Sequence, residues 1–364
     1  MRIKAIEPIL VDVPLRAPVR GVHGVTAVQR SVLVHVTTDA GTEGWGNVDP
    51  TPGYSAVSAA DVHDSVERLA TFLAGADALN VRAALALMDE LAGASEAKAA
   101  IEMALMDLKA RVLGIPVHSL LGGRVKDAVT LNAWIGTVPP AQAAREALAW
   151  LAQGFRTAKI KVSGAGDEGV QRVAAVRAAV GDRMALRVDF NESLAAPDAA
   201  AFIRRLEPYA LTLVEQPVPR DDIAGLARIR REIAIPLMAD ESVASPAALV
   251  DIIRLEAADL VKLKVMKQGG LLRTLAMVEC AAAGLRVVLG HGFGLTLSTL
   301  AEAAVAAASD AVIDGCEAVG PLKMAGDVVV DPVRLDGGVI PLSDAPGLGA
   351  GIDPDALTRY RVQR

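Results

Sequence analysis

The chain has 364 residues, a formal net charge of −6 and an aromatic content of 3%. This length is sufficient for a full barrel and one smaller domain. The slight acidity and the scarcity of aromatic residues argue against nucleic-acid binding.

Neither membrane insertion nor secretion is expected. The Ala-rich runs are too short to span a bilayer, and the N-terminal residues alternate apolar and polar side chains instead of forming a signal peptide. Cys280 and Cys316 are too few for a disulfide framework, which is typical of a reducing compartment. The predicted location is the cytoplasm.

Residues 1–125 are predicted to form a separate α+β unit. Alternation of apolar and polar residues predicts antiparallel strands, at 3–14, 31–38 and through 44–46. Helical periodicity predicts three longer helices, at 56–73, 81–91 and 95–113. Gly114 and Pro116 end the last of them, so the boundary of the unit is expected near residue 125.

The segment 17–28 lies between the first two predicted strands. It is rich in glycine and too irregular for a strand, so we expect a loop. Loops of this kind cover binding sites in many enzymes. The segment is therefore predicted to be a lid, with His23 as a candidate substrate contact.

From residue 126 onward, short apolar runs alternate with helical patterns. Strict βα alternation predicts a parallel sheet closed into a barrel over 126–339. The predicted strands lie at 129–135, 157–162, 185–190, 211–215, 235–239, 259–264, 285–290 and around 312–317. The C-terminal tail, 340–364, is rich in Gly, Pro and Asp and is expected to pack back on the first unit.

Charged residues end several of these apolar runs at intervals of about 25 residues, the length of one strand plus one helix. These residues are Lys159, Lys161, Asp189, Glu215, Asp240 and Lys264. A charge after an apolar run is costly to bury unless it is paired, so each run should open into a site. Strands two and six are four apart in a ring of eight. Lys161 and Lys264 should therefore face each other across the barrel mouth, with the acids between them.

The three acids predict a metal site. Three convergent carboxylates cannot all remain ionised without a cation. Because Asp189, Glu215 and Asp240 offer only oxygen ligands, Mg²⁺ is the expected ion and Mn²⁺ the next candidate. Each acid alone could instead cap the helix after its strand. Three caps have no reason to share one period on adjacent strands, so the joint metal site is favoured.

The lysines predict proton transfer. Lys159 and Lys161 are two residues apart and share one face of strand two, although a pair of solvated lysines is the alternative. A second ammonium group and a divalent cation both lower the pKa of a lysine, which leaves a neutral fraction able to act as base. We predict Lys161 as the proton-transfer residue and Lys159 as its neighbour on the substrate carboxylate. Lys262 shares a face with Lys264, and position at the strand end favours Lys264.

Further candidates follow the remaining strands. His291 ends strand seven and Glu317 ends strand eight, so both are predicted at the barrel mouth as substrate contacts. Asn191 and Glu241 directly follow the acids of strands three and five and are either supporting site residues or turn residues. Asn191 is included among the candidate substrate contacts.

At these residues the chain resembles the enolase superfamily, in its muconate lactonizing enzyme subgroup. The match covers nearly the whole chain, and the strings are specific together, in this order and spacing. They are GWG at 44–46, AIEMALMDLKAR at 100–111, SLLGGRV at 119–125, KIK at 159–161, DFN at 189–191, EQP at 215–217, ADES at 239–242, KLKVMKQGG at 262–270 and PGLG at 346–349.

The resemblance implies an α/β fold, a modified TIM barrel (β/α)7β with an N-terminal α+β capping domain, and a homo-oligomer. It also implies a half-reaction on a small carboxylate substrate. Mg²⁺ held by the three acids binds the carboxylate, a lysine removes the α-proton, and Lys159 and the metal stabilise the enediolate. The fate of the enediolate stays open: reprotonation, loss of a β-group or cycloisomerisation.

Agreements with the sequence patterns of individual enzymes in the family, and departures from them, narrow the choice of overall reaction. EAVGPL at 317–322 is similar to the ELFGPL-like end of cycloisomerases, which makes muconate-type cycloisomerase the best single label. Gly-His-Gly-Phe-Gly at 290–294 replaces their Met-Leu-Glu-Gly type sequence. The Asp-x-Asp pair of dipeptide epimerases is absent at 317–319. A lysine at 264 replaces the Asp of the mandelate-racemase dyad, so His291 is expected to bind substrate.

Two alternatives remain open. One is an amino-acid (proline-type) racemase or epimerase, or a hydroxy-acid or hydroxyproline dehydratase. The other belongs to a different class of protein: a barrel that binds a ligand without turnover. Metal content after dialysis separates the second alternative from an enzyme, because such a barrel need not bind Mg²⁺.

Overall fold

The computed structural model describes residues 1–21, 24–51 and 55–362 of the chain. In the N-terminal unit an antiparallel sheet has the strand order β1-β2-β3 and packs against helices. The strands are β1 (Ile3–Gly21), β2 (Gly24–Thr38) and β3 (Glu43–Val48). The helices are α1 (Ala59–Leu73), α2 (Val81–Met88), α3 (Ser95–Leu113) and α4 (Val117–Leu120).

The described residues of the segment 17–28 lie in strands β1 and β2. The two strands are paired there, with Val19 opposite Thr26, after a register shift that begins at Pro14. The prediction of an irregular loop here was wrong, because pairing with a neighbouring strand supplies backbone hydrogen bonds that local sequence periodicity does not reveal. His23, the candidate contact in this segment, lies outside the described residues.

The GWG string has a packing role. A Cβ atom added at Gly44 or Gly46 would overlap the backbone of α3, at Ala104 and Ala100 respectively. The two glycines therefore let β3 approach the helix closely, which no larger residue allows at these positions. The string marks the contact between the sheet and α3.

The barrel sheet is parallel, with the strand order β11-β10-β9-β8-β7-β6-β5. Its strands are β5 (Ala133–Ile135), β6 (Thr157–Lys161), β7 (Ala185–Asp189), β8 (Leu213–Glu215), β9 (Leu237–Ala239), β10 (Leu260–Leu263) and β11 (Arg286–Leu289). The segment predicted as the eighth strand makes two isolated parallel bridges, Val312 with Val287 and Cys316 with Leu131. These bridges join the two edges of the sheet, so the α/β fold has the (β/α)7β character that the resemblance implies.

Helices lie between the strands and after them. They are α5 (Pro140–Ala152), α6 (Asp167–Val180), α7 (Ala196–Arg204), α8 (Ile223–Glu232), α9 (Pro246–Arg254), α10 (Val265–Gln268), α11 (Leu271–Ala281), α12 (Thr296–Ala307), α13 (Gly320–Lys323) and α14 (Pro354–Tyr360). Short 3₁₀ turns cover Gly181–Arg183 and Glu207–Tyr209. Among the described residues no helix combines the length and the apolar character needed to cross a membrane.

The first predicted barrel strand is divided. Its N-terminal part, β4 (Ala128–Thr130), pairs antiparallel with β12 (Val339–Pro341), and only β5 belongs to the barrel sheet. The tail contacts the N-terminal unit beyond β12. The Val117 amide donates to the Gly347 carbonyl at 2.9 Å, and the Leu348 amide donates to Asp107 Oδ1 at 2.8 Å.

Inward-facing side chains fill the barrel below its mouth. Leu213, Met238, Leu260 and Val288 come from four successive strands and form one buried apolar cluster. Two residues further along three of these strands stand Glu215, Asp240 and Lys262. Because side chains alternate along a strand, the same inward face carries an apolar layer and then a charged layer at the mouth.

Candidate active site

A row of acids crosses the barrel mouth. Asp189 ends β7, Glu215 ends β8 and Asp240 follows β9 directly. Asp189 and Glu215 are direct partners in the register of the two strands. Each of the three side chains is nearly inaccessible to solvent, at 1–2% exposure. Burial of three carboxylates at this density requires compensating positive charge.

Two buried lysines supply part of that charge. Lys159 Nζ lies 3.0 Å from Asp189 Oδ2 and 3.3 Å from Glu215 Oε1. Lys262 Nζ lies 3.1 Å from Glu215 Oε1 and 3.7 Å from Asp240 Oδ2. Glu317 contacts both ammonium groups, with Oε1 at 2.5 Å from Lys159 Nζ. The sequence prediction treated Lys262 only as a neighbour of Lys264, whereas it lies within the row.

The two lysines differ in their electrostatics. Burial lowers the pKa of Lys159, but the carboxylates of Asp189 and Glu215 outweigh burial and hold the pKa above its ordinary value. For Lys262 burial prevails over attraction by Glu215, and the nearby Lys159 ammonium adds repulsion, so its pKa falls to about 8. Lys262 is therefore the more easily deprotonated of the pair.

Lys161 and Lys264 lie at the two ends of the row. Lys161 Nζ donates to Asp189 Oδ2 and to Asn191 Oδ1, both at 2.6 Å. Lys264 Nζ donates to the two oxygens of Asp240, at 2.8 and 2.9 Å. In the sheet, β7, β8 and β9 separate β6, which ends at Lys161, from β10, which Lys264 directly follows. The arrangement puts one amine on either side of the acids.

The carboxylates beside Lys264 determine its charge state in this structure. Burial lowers its pKa, but the carboxylates of Asp240 and Glu241 raise it by more, and the net shift is upward. An ammonium in direct contact with a carboxylate is stabilised in its charged form. Neutral Lys264 therefore requires that the charge of Asp240 be compensated by another cation.

Asn191 is a link between Lys161 and Glu241. It has a left-handed backbone conformation with φ of +43°, and its amide N–H donates to Asp189 Oδ1 at 2.9 Å. Its Nδ2 donates to Glu241 Oε1 at 3.1 Å. With Oδ1 accepting from Lys161, the side chain fixes the position of that lysine. Asn191 thus contacts the lysine directly, and a substrate contact stays a prediction.

His291 and Glu317 both line the cavity above the acids. Burial, followed by repulsion from Lys264 and Lys323, lowers the pKa of His291 to about 3, so the imidazole is neutral. Its Nδ1 accepts a hydrogen bond from the Phe293 amide at 3.2 Å. The proton of the neutral ring must then be on Nε2, which lies 4.0 Å from Asp49 Oδ2.

The N-terminal unit contributes to the same cavity. Thr51 and Ser55 line it, and Asp49 is completely buried behind His291. The hydroxyls of Ser31 and Ser298 donate to Asp49 at 2.5 and 2.6 Å, from β2 and α12 respectively. Sequence reasoning missed Asp49, because its partners are distant in sequence.

Lys323 was also missed, although it stands one residue beyond the EAVGPL string. It is the last residue of α13, and its side chain lines the cavity together with Trp134 and Phe293. The signal in the sequence that could have identified Lys323 is its position directly after the EAVGPL string. Without the fold, nothing indicated that α13 turns toward the barrel mouth.

The donor set fits a hard divalent cation in its chemistry. The three acids offer only oxygen atoms as ligands. The ammonium groups of Lys159 and Lys262 lie between neighbouring acids and supply the positive charge there. With these ammonium groups between them, the acid oxygens are not in mutual coordination contact. Among the described residues, the group of acid and histidine side chains with ligand atoms within 4.8 Å of one another consists of His63, Asp64 and Glu67 on α1.

The chain matches two family descriptions. Residues 5–122 match the N-terminal domain of the mandelate racemase/muconate lactonizing enzyme family, and residues 142–356 match the enolase C-terminal domain-like family. The predicted resemblance is confirmed by these matches.

Relatives and solved structures with different reactions are similar to the chain over nearly its whole length. An L-Ala-D/L-Glu epimerase of Bacillus subtilis is 34% identical, covering 96% of both chains. An N-succinyl-L-Arg/Lys racemase of Bacillus cereus is 33% identical, covering 100% of this chain and 98% of its own length. The structure of a Pseudomonas fluorescens muconate lactonizing enzyme complexed with muconolactone superposes with a TM-score of 0.95, at 32% identity and 99% coverage of both chains.

A further structure contains a metal ion. It is a dipeptide epimerase of Enterococcus faecalis complexed with Mg and a dipeptide, with a TM-score of 0.91, 28% identity, and coverage of 96% of this chain and 100% of that one. The relatives and the solved structures are isomerases of one superfamily that differ in substrate. The chain belongs to the mandelate racemase/muconate lactonizing enzyme family of the enolase superfamily.

Proposed function

We propose that this protein removes the α-proton of a small carboxylate substrate and forms an enediolate. The observation that carries the proposal is the position of Lys161 and Lys264 at the two ends of the row Asp189, Glu215 and Asp240. A substrate whose carboxylate is held at this row has an amine on either side of its α-carbon. Proton removal and proton return can then occur on opposite faces.

The three acids are the residues that we propose hold Mg²⁺, with Mn²⁺ as the second candidate. When bound, such an ion supplies positive charge that stabilises the negative charge of the carboxylate and of the enediolate. The same charge compensates Asp240, which is the condition for a neutral fraction of Lys264. An oxygen-only donor set and the Mg-containing relative support this choice.

Each lysine has a separate task in this proposal. Lys161, held by Asn191, accepts the α-proton at Nζ. Lys264 acts from the other end of the row, as the group that returns a proton or as a positive charge beside the enediolate. Lys159, which contacts Asp189 and Glu215, is the residue that we propose stabilises the developing negative charge.

Among the possible overall reactions, we propose muconate-type cycloisomerisation first. The EAVGPL string at 317–322 and the muconolactone-bound relative support it. Racemisation or epimerisation of an amino-acid derivative is the second candidate, favoured by two lysines on opposite sides and by the epimerase and racemase relatives. Loss of a β-group, as in a dehydratase, uses the same enediolate.

Exchange in deuterated water tests the shared half-reaction. The protein is incubated with Mg²⁺ and a panel of carboxylates that includes muconolactone, dipeptides and N-acylated amino acids, and α-deuterium is measured by NMR and mass spectrometry. We expect incorporation into at least one class of compound, with products that identify the second half-reaction. The absence of exchange across the panel, with Mg²⁺ bound, would overturn the proposal.

A further inference from the structure

The cavity above the acids contains a lysine that the half-reaction does not use. Lys323, at the end of α13, is 7% exposed and lines the same cavity as Lys161 and His291. Its Nζ donates a hydrogen bond to the Gly292 carbonyl. Two aromatic rings flank it, Trp134 and Phe293, with Nζ at 4.4 Å from each ring centroid. The amine is thus held in one position.

Lys323 differs from the other lysines of the barrel mouth in its partners. Each of the other lysines has at least one carboxylate oxygen within 4.0 Å of its Nζ. These lysines are Lys159, Lys161, Lys262, Lys264 and Lys267. In the described parts of the chain, no carboxylate lies within that distance of Lys323 Nζ. Ring faces and one carbonyl stabilise an ammonium group but bring no negative charge.

The electrostatics at Lys323 are unfavourable without an additional anion. Burial, and then the positive charges of Lys161 and Lys159, lower its pKa well below the ordinary value. The neutral amine is therefore favoured as long as no anion is present, because a buried ammonium group is costly unless it is paired. The chain provides the donor and the aromatic walls, and the missing component is an anion from the cavity side.

We propose that Lys323 is a subsite for a second anionic group of the substrate. The inference rests on the proposed function, in which the first carboxylate of the substrate binds at the row of acids. The muconate-type reaction proposed above already has a dicarboxylate substrate, and the inference assigns the second carboxylate of such a substrate to Lys323. Lys323 is a specificity residue, and proton transfer remains with the lysines of the row.

A matched pair of ligands tests the subsite. Adipate and pentanoate differ in a terminal carboxylate and have chains of similar length. Their affinities for the Mg²⁺-loaded protein are measured by calorimetry for the wild type, Lys323→Met and Lys323→Gln. A charge-assisted hydrogen bond in a buried site predicts that wild type prefers adipate by about 10- to 100-fold. Both variants should lose this preference and bind pentanoate as the wild type does.

Lys98→Met is the control for removing a buried lysine. Lys98 belongs to α3 and pairs with Asp89 at 3.0 Å, so its loss should leave the preference for adipate intact. Circular dichroism establishes that each variant is folded. The subsite is refuted if wild type fails to favour adipate, or if the preference persists in both Lys323 variants.

The exchange assay separates the two proposals. If exchange into monocarboxylates persists in Lys323→Met while no preference for adipate exists in wild type, the half-reaction stands and the subsite falls. If wild type prefers adipate through Lys323 but no carboxylate exchanges its α-proton, the subsite stands and the half-reaction falls.

Discussion

Two of the regions in which the molecule buries acids differ in the partners of those acids. In α3 of the N-terminal unit, Glu102 accepts from the amides of Leu271 and Leu272 at 2.8 and 3.0 Å. Asp107, five residues later, accepts from the amides of Trp45 and Leu348 at 3.0 and 2.8 Å, and also from Arg111 Nε at 2.8 Å. At the barrel mouth, by contrast, the partners of the three acids are chiefly lysine ammonium groups.

This difference separates structural acids from those of the site. Backbone amides are fixed by the fold and cannot be exchanged for a ligand, so Glu102 and Asp107 connect α3 to α11, β3 and the tail. Ammonium groups are mobile and can give way to another cation. Burial of a carboxylate is therefore insufficient evidence of function, and the kind of donor that meets it is the informative feature.

The largest effect is expected at the barrel mouth. Replacing one acid, as in Asp240→Asn, removes a ligand and a charge, and α-proton exchange should fall by at least about 10³-fold. Calorimetry with Mg²⁺ should show weakened binding in the same variant. Asp107→Asn is the matched control and should retain Mg²⁺ binding and exchange. Equal exchange in Asp240→Asn and wild type would remove the distinction between the two regions.

A smaller effect is expected from the pH dependence of Glu102. Burial raises its pKa from 4.5 to about 7, although the two amides oppose the shift. Between these values the folded state binds the proton more tightly than the unfolded chain, so stability falls as pH rises from about 4.5 to about 7. The shift corresponds to a change on the order of 3 kcal/mol.

Glu102→Gln cannot titrate and isolates this contribution. Denaturant unfolding of both proteins at several pH values gives the difference in their free energies of unfolding. The wild type should lose stability relative to Glu102→Gln as pH rises from about 4.5 to about 7, and the difference should be constant above about pH 8. A difference that does not vary with pH would show that Glu102 is not raised in pKa.

The smallest effect is expected from Asp107. Asp107→Asn keeps one acceptor oxygen but turns an amide donor toward a backbone N–H or Arg111, leaving a buried donor unsatisfied. The cost in the free energy of unfolding should be about 1–3 kcal/mol. Urea titration measures it, and exchange per folded molecule serves as the internal reference. A loss of exchange beyond the loss of folded protein would assign Asp107 to the site.

Much of the fold was predictable, and so was the common position of Asp189, Glu215 and Asp240 at the strand ends, because one βα unit sets their period. Strand alternation could not separate Lys262 from Lys264, which share a face. The two lysines differ in their contacts. Lys262 contacts Glu215 and Glu317, whereas Lys264 contacts Asp240 most closely. The position of Lys323 at the cavity depends on the direction of α13, which the sequence does not indicate.

Pairing between distant segments explains the remaining differences. The pairing of residues 19–21 with 24–26 and the pairing of β4 with β12 depend on partner strands, which local periodicity does not specify. Likewise, the GWG string at 44–46 was readable as a motif, but its reason, close packing on α3, required the helix to be in place.

The central claim is that Lys161 and Lys264 act on one substrate from opposite ends of the row of acids. The most direct test is α-proton exchange in deuterated water by Lys161→Ala and Lys264→Ala, with both stereoisomers of a compound that the wild type exchanges. Loss of a positioned base predicts that each variant loses at least about 100-fold with one stereoisomer or both. Full exchange of both stereoisomers by both variants would contradict the account.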